Sequence, residues 1–549
     1  MAEKRHAPLL LRREIEGLIA AGGKIFILDQ FVIKADPWIL YHPGGEKAIQ
    51  HMVGRDATDE VTALHSAEAK QQMNRYRIGR IQGRWTNFLP PIQGGKYRTL
   101  TDKTQDEYQI NATTSSATSS DKSSCDSSSS FNSNEPRLRS RHSESSDSIS
   151  SSVGATKADD GIAHLDSVTR EEIKLDLETY PSLDHTTQDS IVAKYRLLND
   201  RIKAEGLYQC NYGAYAIELV RYSLLFAGML LFLHWGWYVA SGIFMGAFWH
   251  QLVFAGYDAG HIGITHKFQV DSLIGIFIAD FVGGLSIGWW KRNHNVHHIV
   301  TNSPEHDPDT EYLPLLAISH RFLHSLRSTY YNRILQYDKV ARFGVKFQKY
   351  TYYPLMIFGR FNLYRLSWEY LLGDNAPRKG PARWHRHLEI AGQVFFWTWY
   401  GYGILYKSIS SNWGRLAFFM ISHMVVAPLH VQLTLSHFAM STADLGPHES
   451  FPQKMLRTTM DVDCPPWLDF FHGGLQFQAI HHLYPRMPRH NLRRAQKLVQ
   501  EFCNEVGIPY ALYGFVDSNK QVVGRLADVS RQAAILAKCQ SVIVNSRDS

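Results

Sequence analysis

The sequence predicts a small α+β domain joined to an all-α membrane domain, in which four transmembrane helices form two hairpins beneath a cytosolic helical cap. Residues 8–83 mix apolar and charged positions, as a small globular domain does. Residues 84–190 form a serine-rich linker that is largely disordered, because its low-complexity stretch cannot bury enough apolar area to fold. Residues 191–520 carry the long apolar runs of the membrane domain, and residues 521–549 form a polar C-terminal tail.

The overall composition excludes several classes of protein. The net charge of +7 is small for 549 residues and the basic residues are spread out, which fits a membrane surface and excludes a nucleic acid partner. The five cysteines form no CxxC spacing, so neither a disulfide framework nor a thiolate zinc site is predicted. The N-terminal leucine run is too short for a signal peptide, so we expect the N-terminus in the cytosol.

Four apolar runs reach the ~20 residues that a helix needs to cross a bilayer. Two lie within 219–258 and form the first hairpin, while 388–408 and 414–438 form the second. The run 269–290 is also apolar, but a crossing there would separate two histidine clusters, so we interpret it as re-entrant or interfacial. Charged residues interrupt 350–372, which favours a helix at the membrane interface. The histidine clusters then share the cytosolic side with the basic loops, as the positive-inside rule requires.

The segment WILYHPGGEKAIQHMVGRDATDEVTALHS contains His42 and His65, with apolar side chains between them. Two imidazoles facing each other across an apolar slot suit a six-coordinate heme, which carries electrons because no position on its iron remains for oxygen. The glycines after His42 let the backbone pass close to a flat ligand. A lone HPGG is often a surface turn, but HPGG with GRDAT and LHS closely resembles cytochrome b5. That resemblance implies heme b with His42 and His65 as its axial ligands.

An electron-carrying heme needs a donor, and acidic residues near the slot would steer a basic one toward it. The resemblance implies NADH-cytochrome b5 reductase as that donor. The acidic residues are Glu46, Asp56, Asp59 and Glu60.

A second set of histidines is concentrated in the membrane domain. Structural zinc closes at four ligands, so eight imidazoles exceed one zinc site and suffice for two metal ions with open positions. Imidazole ligands with open positions suit iron among the oxygen-activating metals. The spacing of HNVHH places its rings on one helical face, so one turn can serve both ions. The predicted ligands are His261, His266, His294, His297, His298, His437, His481 and His482.

HNVHH, the NSPEHDPD stretch after it, and QFQAIHH resemble the second and third histidine boxes of front-end desaturases fused to cytochrome b5. The third box of that group opens with glutamine, here Gln478, which the resemblance implies at the catalytic site. The run from WHQLVF through DAGHIGITH to HNVHH is most similar to fungal sphingolipid Δ8-desaturases. The resemblance implies an O2-dependent enzyme that introduces a C=C at the Δ8 position of the long-chain base of ceramide, using two Fe ions supplied with electrons through the heme.

The same resemblance implies a multi-pass protein of the endoplasmic reticulum membrane, with its heme domain and active site on the cytosolic side. Two other interpretations stay open. The same metal site serves acyl-lipid Δ5 or Δ6 front-end desaturases and lipid hydroxylases. A non-catalytic membrane electron carrier with a degenerate iron site would bind heme normally and hold less iron.

One position departs from the family pattern. The first box of front-end desaturases opens with histidine, as HDAGH, whereas this chain has Tyr257 four residues before His261. A phenol, with a pKa of about 10, is a poorer ligand for ferrous iron than imidazole. Either His266 replaces the missing ligand or one iron is under-coordinated. We favour the second alternative, with loss of activity, because His266 lies off the helical face of position 257.

Other polar residues near the boxes have supporting roles. Asp307 and Asp309 follow the second box and are predicted to orient its imidazoles, as carboxylates commonly do for metal-bound histidine. For His306 the sequence gives about equal support to orienting these imidazoles and to having no such role. Packing or an ordinary hydrogen bond is predicted for six isolated histidines, which are His250, His320, His423, His430, His472 and His490.

Overall fold

The structure is a computed structural model of the chain, and it describes residues 7–88, 149–180 and 183–547. Its N-terminal domain is a three-stranded antiparallel sheet with short helices packed on it. The elements are helix α1 (Arg12–Ala20), strands β1 (Ile25–Leu28) and β2 (Phe31–Lys34), helices α2 (Glu46–Gln50), α3 (Thr58–Leu64) and α4 (Ala67–Met73), and strand β3 (Arg77–Arg80).

The first two strands form a tight hairpin. Ile25 pairs with Lys34, and the two residues of the turn, Asp29 and Gln30, have positive φ values of 49° and 65°. Two positive φ angles match the turn to the twist of the flanking strands. β3 pairs antiparallel with β2, and β1 is buried along its whole length. The predicted small α+β domain is confirmed.

The rest of the described chain is almost entirely helical. Short strands pair only as β4 with β5 and β6 with β7. The elements are α5 (Ile149–Thr179), α6 (His185–Ala204), α7 (Tyr212–His234), α8 (Tyr238–Gly260), α9 (Phe268–Ile276), α10 (Ile287–Val300), β4 (Leu326–Ser328), β5 (Arg333–Leu335), α11 (Lys339–Ile357), α12 (Gly359–Leu372), α13 (His385–Phe396), α14 (Asn412–Met424), α15 (Ala427–Phe438), α16 (Phe451–Thr458), β6 (Asp461–Asp463), α17 (Asp469–His472), α18 (Gln478–Leu483), α19 (Leu492–Val506), β7 (Leu512–Gly514) and α20 (Phe515–Arg547).

Three described helices are long and apolar enough to cross a membrane, namely α7, α8 and the continuous Asn412–Phe438. A fourth candidate is the pair α9 and α10, whose axes differ by 118°. The predicted crossing 388–408 is not one of the three, and it lies in α13 and the π-helical segment Trp397–Ser408 that continues it. A mostly helical membrane domain with three to four apolar helices is therefore confirmed.

The bend between α9 and α10 has a local cause. Gly284 adopts a φ of +68°, and Ser286 then caps α10 by accepting a hydrogen bond from Trp289 N at 3.0 Å. Glu389 of α13 accepts a second bond from Gly288 N at 3.1 Å. These two acceptors satisfy N–H groups that the start of a buried helix would otherwise leave unpaired. A bend of this size occurs in a broken membrane span and in a re-entrant segment alike.

Part of the predicted linker is helical. Residues 149–179 form α5, and the last residues assigned to the linker begin α6, so the prediction of disorder is wrong for these segments. Residues 89–148 lie outside the described residues. Asp176 of α5 forms an ion pair with Arg321, in the segment between α10 and β4. A helix held by such long-range contacts leaves little signal in its own sequence, which explains the error.

The predicted polar tail is also part of the folded domain. Val522, Leu526 and Val529 of α20 are at most 2 % exposed and pack in one cluster with Tyr352 of α11. Their spacing of four and three residues forms a stripe along one helical face. The polar residues on the other face lower the average hydropathy of the segment, and we therefore correct the prediction of a peripheral tail.

The N-terminal domain packs directly against α10. Arg292 of that helix forms an ion pair with Glu46, and Arg196 of α6 pairs with Asp59 at 2.9 Å. Two of the four carboxylates predicted to steer a basic donor are therefore engaged within the chain, which corrects that expectation for them. Three apolar side chains of α10 join the core of the N-terminal domain, namely Val296, Ile299 and Val300.

Candidate metal centre and heme slot

Two histidines of the N-terminal domain face each other across a slot, which we call the heme slot. His42 Nδ1–H donates to the Gly45 carbonyl at 2.9 Å, and His65 Nδ1–H donates to the Val61 carbonyl at 3.2 Å. Because a carbonyl only accepts, each Nε2 keeps a free lone pair. The two Nε2 atoms lie 3.5 Å apart.

The heme slot has the chemistry of the predicted ligand. Burial lowers the pKa of His42, and burial together with the nearby His42 lowers the pKa of His65 to about 3, so both imidazoles are neutral at pH 7. They line a cavity of about 1040 Å³ together with apolar residues such as Phe26 and Ile49. Two opposed neutral nitrogens beside an apolar cavity are the donor set of a six-coordinate heme.

The two glycines after His42 let the N-terminal domain approach α10. A Cβ atom added at Gly44 would lie 2.7 Å from Asn295 Nδ2, and one added at Gly45 would lie 2.9 Å from Arg292 Cγ. Gly45 also has a φ of +83°, in the left-handed region that favours glycine. The HPGG motif therefore serves domain contact as well as the turn at His42.

Seven of the eight histidines predicted as metal ligands converge in two groups, and all seven are buried. Within each group the ligand atoms lie within 4.8 Å of one another. The first metal group is His261, His294, His298 and His481. The second metal group is His297, His437 and His482. They come from the end of α8, from α10, from α15 and from α18, so the bend before α10 is needed to bring them together.

Several nitrogens in these groups are free to bind a metal ion. His261 Nε2, His482 Nε2 and His437 Nδ1 are buried without a hydrogen-bond partner among the residues that the structure describes. A buried polar atom left unpaired costs roughly 1–3 kcal/mol. A metal ion in each group would satisfy these atoms, so the residues fit the metal ions predicted from the sequence.

Hydrogen bonds on the far side of the rings orient the second metal group. His297 Nδ1–H donates to Asp307 at 2.9 Å, the contact expected of a carboxylate that orients this ring, and this leaves the His297 Nε2 for a metal. Thr301 Oγ1 lies 3.3 Å from His482 Nδ1. Asp309 Oδ2 is 3.6 Å from His294 Nδ1, and Asp309 is close enough to His294 and His297 to share a metal ion with them, which the sequence did not indicate.

Tyr257 lies inside the first metal group. Its hydroxyl is 2.9 Å from His294 Nε2 and 3.0 Å from His481 Nε2, and its ring centroid is 5.0 Å from that of His261. The sequence marked this position as a departure from the family pattern. The structure adds that the phenolic oxygen contacts two of the histidine nitrogens of this group.

His266 lies apart from both metal groups. Its Nε2–H donates to the Tyr208 carbonyl at 2.7 Å, and its backbone φ of +59° belongs to the turn after α8. In the described part of the chain it belongs to none of the groups that can hold a metal. The prediction of His266 as a ligand is therefore corrected, because its ring is directed to a backbone carbonyl.

A cavity of about 560 Å³ adjoins both metal groups, with His294 and His297 in its wall. Its size is typical of a pocket for a small ligand. Gln478, the first residue of α18, also lines the cavity, is buried, and interacts with the Tyr257 hydroxyl. Much of the remaining wall is apolar, with residues such as Trp249, Leu252, Val253, Ile278 and Leu433.

The heme slot and the metal centre share a wall. His261 of the first metal group lines the same cavity as His42 and His65. Asn295, one residue after His294, lines it as well. A heme in the slot would therefore sit directly beside the metal ligands.

The other histidines do not belong to the metal centre. His306 Nδ1 lies 2.9 Å from Thr329 Oγ1, where the two domains meet, so it does not orient the second box. Over the described ranges, none of the six isolated histidines is in a group that can hold a metal. These are His250, His320, His423, His430, His472 and His490.

Comparison with known proteins accounts for both parts of the chain. Residues 212–514 match the family described as Fatty acid desaturase, and residues 18–82 match the Cytochrome b5-like Heme/Steroid binding domain. The chain is 60% identical to a Delta 8-(E)-sphingolipid desaturase of Emericella nidulans, over 98% of each protein. It is 47% identical to one of Kluyveromyces lactis, over 97% of this chain and 94% of the relative. It is 44% identical to one of Candida albicans, over 97% and 98%.

These matches agree with the geometry of the two sites. A cytochrome b5-like domain implies heme, which fits the slot between His42 and His65, and a desaturase implies iron, which fits the two metal groups. The similarity extends over nearly the whole length of this chain and of its relatives. The chain belongs to the fatty acid desaturase family, as a membrane enzyme with a fused cytochrome b5-like domain.

Proposed function

We propose that the protein is an O2-dependent desaturase that introduces a C=C at the Δ8 position of the long-chain base of a ceramide or related sphingolipid. The observation that carries this proposal is the convergence of seven buried histidines in two groups, beside a largely apolar cavity and a slot with two opposed imidazoles. The shared name of the relatives supports both the substrate and the position of the double bond.

The proposed cofactors are heme b at His42 and His65 and two Fe ions at the two metal groups. When bound, they would supply electron transfer and the O2-dependent removal of two hydrogens from an unactivated CH2–CH2 unit. Asp307 prepares the site by fixing the ring of His297 so that its Nε2 is directed away from the carboxylate. Asp309 is a candidate further ligand.

The cavity wall is proposed to hold the lipid chain and keep water away from the carbons that react. Tryptophans and aliphatic side chains make up much of this wall next to the metal groups. Gln478 lies at the same wall beside Tyr257, and we assign it to the catalytic site, where it positions the tyrosine hydroxyl against the substrate chain.

The proposed membrane topology has four crossings in two hairpins. The first hairpin is α7 with α8, and the second is α13 with its π-helical extension followed by the helix Asn412–Phe438. The α9–α10 pair is re-entrant. This arrangement puts the metal centre, the heme domain and the basic loops on the cytosolic side of the endoplasmic reticulum membrane.

The proposed heme domain spans 8–83 and the proposed desaturase domain spans 191–520. Helices α5 and α20, from the segments 84–190 and 521–549, pack onto the desaturase domain. The proposed electron donor is NADH-cytochrome b5 reductase. Four carboxylates were predicted to attract this reductase. Two of them, Asp56 and Glu60, form no ion pair with another described residue.

Lipid analysis of a yeast that lacks Δ8 unsaturation and expresses the full chain tests this proposal. Long-chain bases should lose two hydrogens and gain a C=C at Δ8, and a strain that expresses His297→Ala at the same level should not. Unsaturation confined to acyl chains, or a gain of one oxygen, would contradict the substrate or the reaction. Normal heme with about one iron atom per chain in total and no product would support an electron carrier instead.

A further inference from the structure

One carboxylate in the wall of the substrate cavity has no assigned role. Glu311 lines the cavity and is only 7 % exposed, yet neither of its carboxylate oxygens forms a hydrogen bond of normal geometry with a described residue, and Ser328 is a nearby side chain that interacts with it. Arg333, which lines the same cavity, lies over the Tyr331 ring at 4.7 Å and forms no ion pair with Glu311 in the described chain. A buried carboxylate that only stabilised the fold would have a partner, because an unpaired buried group costs roughly 1–3 kcal/mol or more.

A second unpartnered acceptor lies in the same wall. Asn293 precedes His294 and is 5 % exposed. Its Nδ2–H donates to Asp309, while its Oδ1 is buried without a partner among the described residues. Glu311 follows Asp309 by two residues, so their Cα atoms are at most ~7 Å apart. Both unpartnered groups therefore lie close to the metal groups.

The chemistry of these atoms selects the kind of group that can pair with them. An amide oxygen only accepts hydrogen bonds, and a carboxyl group keeps at least one accepting oxygen in either protonation state. The ligand must therefore offer N–H or O–H donors near the carbon that reacts. A glycerolipid acyl chain offers none, because its ester has only accepting oxygens. A sphingoid base carries a C1 hydroxyl, a C2 nitrogen with hydrogen and a C3 hydroxyl, a few carbon atoms from C8.

We infer that Glu311, together with Asn293, forms a polar subsite that accepts hydrogen bonds from the donor groups at the head of a sphingoid base. This inference rests on the proposed function and deepens it, because it assigns the choice between sphingoid and acyl substrates to named residues. Glu311 is a specificity-determining residue that holds the base while the metal centre acts on the chain.

The test uses the full-length protein in membranes with two ceramides that differ only in the C3 hydroxyl of the base. A hydrogen bond contributes about 0.5–1.5 kcal/mol, so the wild type should favour the 3-hydroxy ceramide by about two- to tenfold in kcat/KM. Glu311→Met keeps the approximate shape and removes the acceptors. It should bring this ratio close to one by raising KM for the 3-hydroxy ceramide, with kcat changed little.

Matched variants separate recognition from damage. Glu311→Gln keeps an accepting oxygen and should retain most of the discrimination. Glu369→Gln changes the other glutamate that lines the cavity, whose exposed carboxylate pairs with Arg365 at 2.6 Å, and should leave the ratio unchanged. Heme absorbance and iron content should equal the wild-type values in all variants. If Glu311→Met fails to accumulate, Glu311→Leu replaces it in the same comparison.

Two failures are distinguishable. A wild type that desaturates neither ceramide nor free sphingoid base overturns the proposed function and this inference together. A wild type that is active on the 3-hydroxy ceramide, with a ratio that Glu311→Met or Glu311→Leu leaves unchanged, overturns this inference alone. The same comparison can be made with free sphinganine and the free base that lacks the C3 hydroxyl. If Glu311→Met removes the preference for the 3-hydroxy form in only one of the two series, that series shows whether the subsite binds the ceramide or the free base.

Discussion

The heme slot and the metal centre are both built from histidines, but their rings are held in different ways. In the heme slot, His42 and His65 bond to carbonyls three and four residues away. In the metal centre, the partner of His297 is ten residues away and that of His482 is 181 residues away. The heme slot is thus oriented by its local backbone, whereas the metal centre exists only when several helices of the membrane domain have packed together.

The largest expected effect is a separation of the two cofactors. His42→Ala should abolish the heme absorbance and turnover together while leaving the non-heme iron content near the wild-type value. His297→Ala should retain heme, lower the non-heme iron content and reduce turnover by more than ~100-fold. Removing a residue that only hydrogen-bonds to a metal ligand already lowers metal affinity or activity by about 10–100-fold, so removing a ligand should cost more. Heme difference spectra, metal analysis and product measured on the same membranes check both. Full activity in His42→Ala would show that a separate protein supplies the electrons.

The next effect compares the two carboxylates beside the second histidine box. Asp307→Asn should lower iron content and turnover by ~10–100-fold, because the His297 ring loses the acceptor that fixes its tautomer. Asp309→Asn should have a smaller effect, since its oxygen is 3.6 Å from His294 Nδ1 and forms no short bond there. Metal analysis of both variants decides. Equal iron loss in the two would indicate that Asp309 is a ligand.

The contrast between the two sites also explains what could be predicted from the sequence. The facing of His42 and His65 across one slot was predictable, since their motif and their orienting bonds lie within one short segment. The proposed metal ligands were chosen from type and spacing, and all converge except His266, because a turn with φ of +59° directs that ring to the Tyr208 carbonyl. The spacing of Val522, Leu526 and Val529 is that of a helix with one buried face. The prediction missed this helix because it relied on the average polarity of the tail.

The contacts between domains could not be predicted from local patterns. The ion pair of Arg292 with Glu46 joins residues 246 positions apart. The sequence also does not show that the Glu311 oxygens are buried without a hydrogen bond of normal geometry, because this depends on the folded cavity wall. Tyr257 was predictable only in part. The sequence shows that this position departs from the family pattern, but only the structure shows where the tyrosine oxygen lies.

A smaller effect is expected at Tyr257, in the first metal group. Tyr257→His replaces an oxygen that lies 2.9 Å from His294 Nε2 with an imidazole, a better ligand for ferrous iron, and should raise iron content and turnover together by a few-fold. His266→Ala should change neither, because its ring bonds to the Tyr208 carbonyl. Iron per heme is the decisive ratio. If Tyr257→His has no effect and His266→Ala removes iron, the ligand assignment of the first metal group is wrong.

The smallest effect concerns the joint between the two regions. His51 of the N-terminal domain donates from Nδ1 to the Lys47 carbonyl at 2.7 Å, and its Nε2 accepts from the Thr329 hydroxyl at 2.8 Å. Burial lowers the pKa of His51 to about 4, whereas an exposed histidine titrates near ~6.5. The docked state therefore favours neutral His51, so its stability is fully present above pH ~6.5 and is lost as the pH falls toward 4.

At pH 5.5 this linkage should weaken docking of the N-terminal domain by roughly 1 kcal/mol. Hydrogen–deuterium exchange of α2 and α10 should then rise more in the wild type than in His51→Gln, which keeps a polar side chain and does not titrate. His306, whose Nδ1 contacts the same Thr329 hydroxyl, is also buried with a lowered pKa, so His51→Gln should reduce the pH response without abolishing it. Identical exchange in the two proteins from pH 7 to pH 5 would show that docking does not depend on His51. The heme slot would then stay against the metal centre whether His51 is charged or neutral.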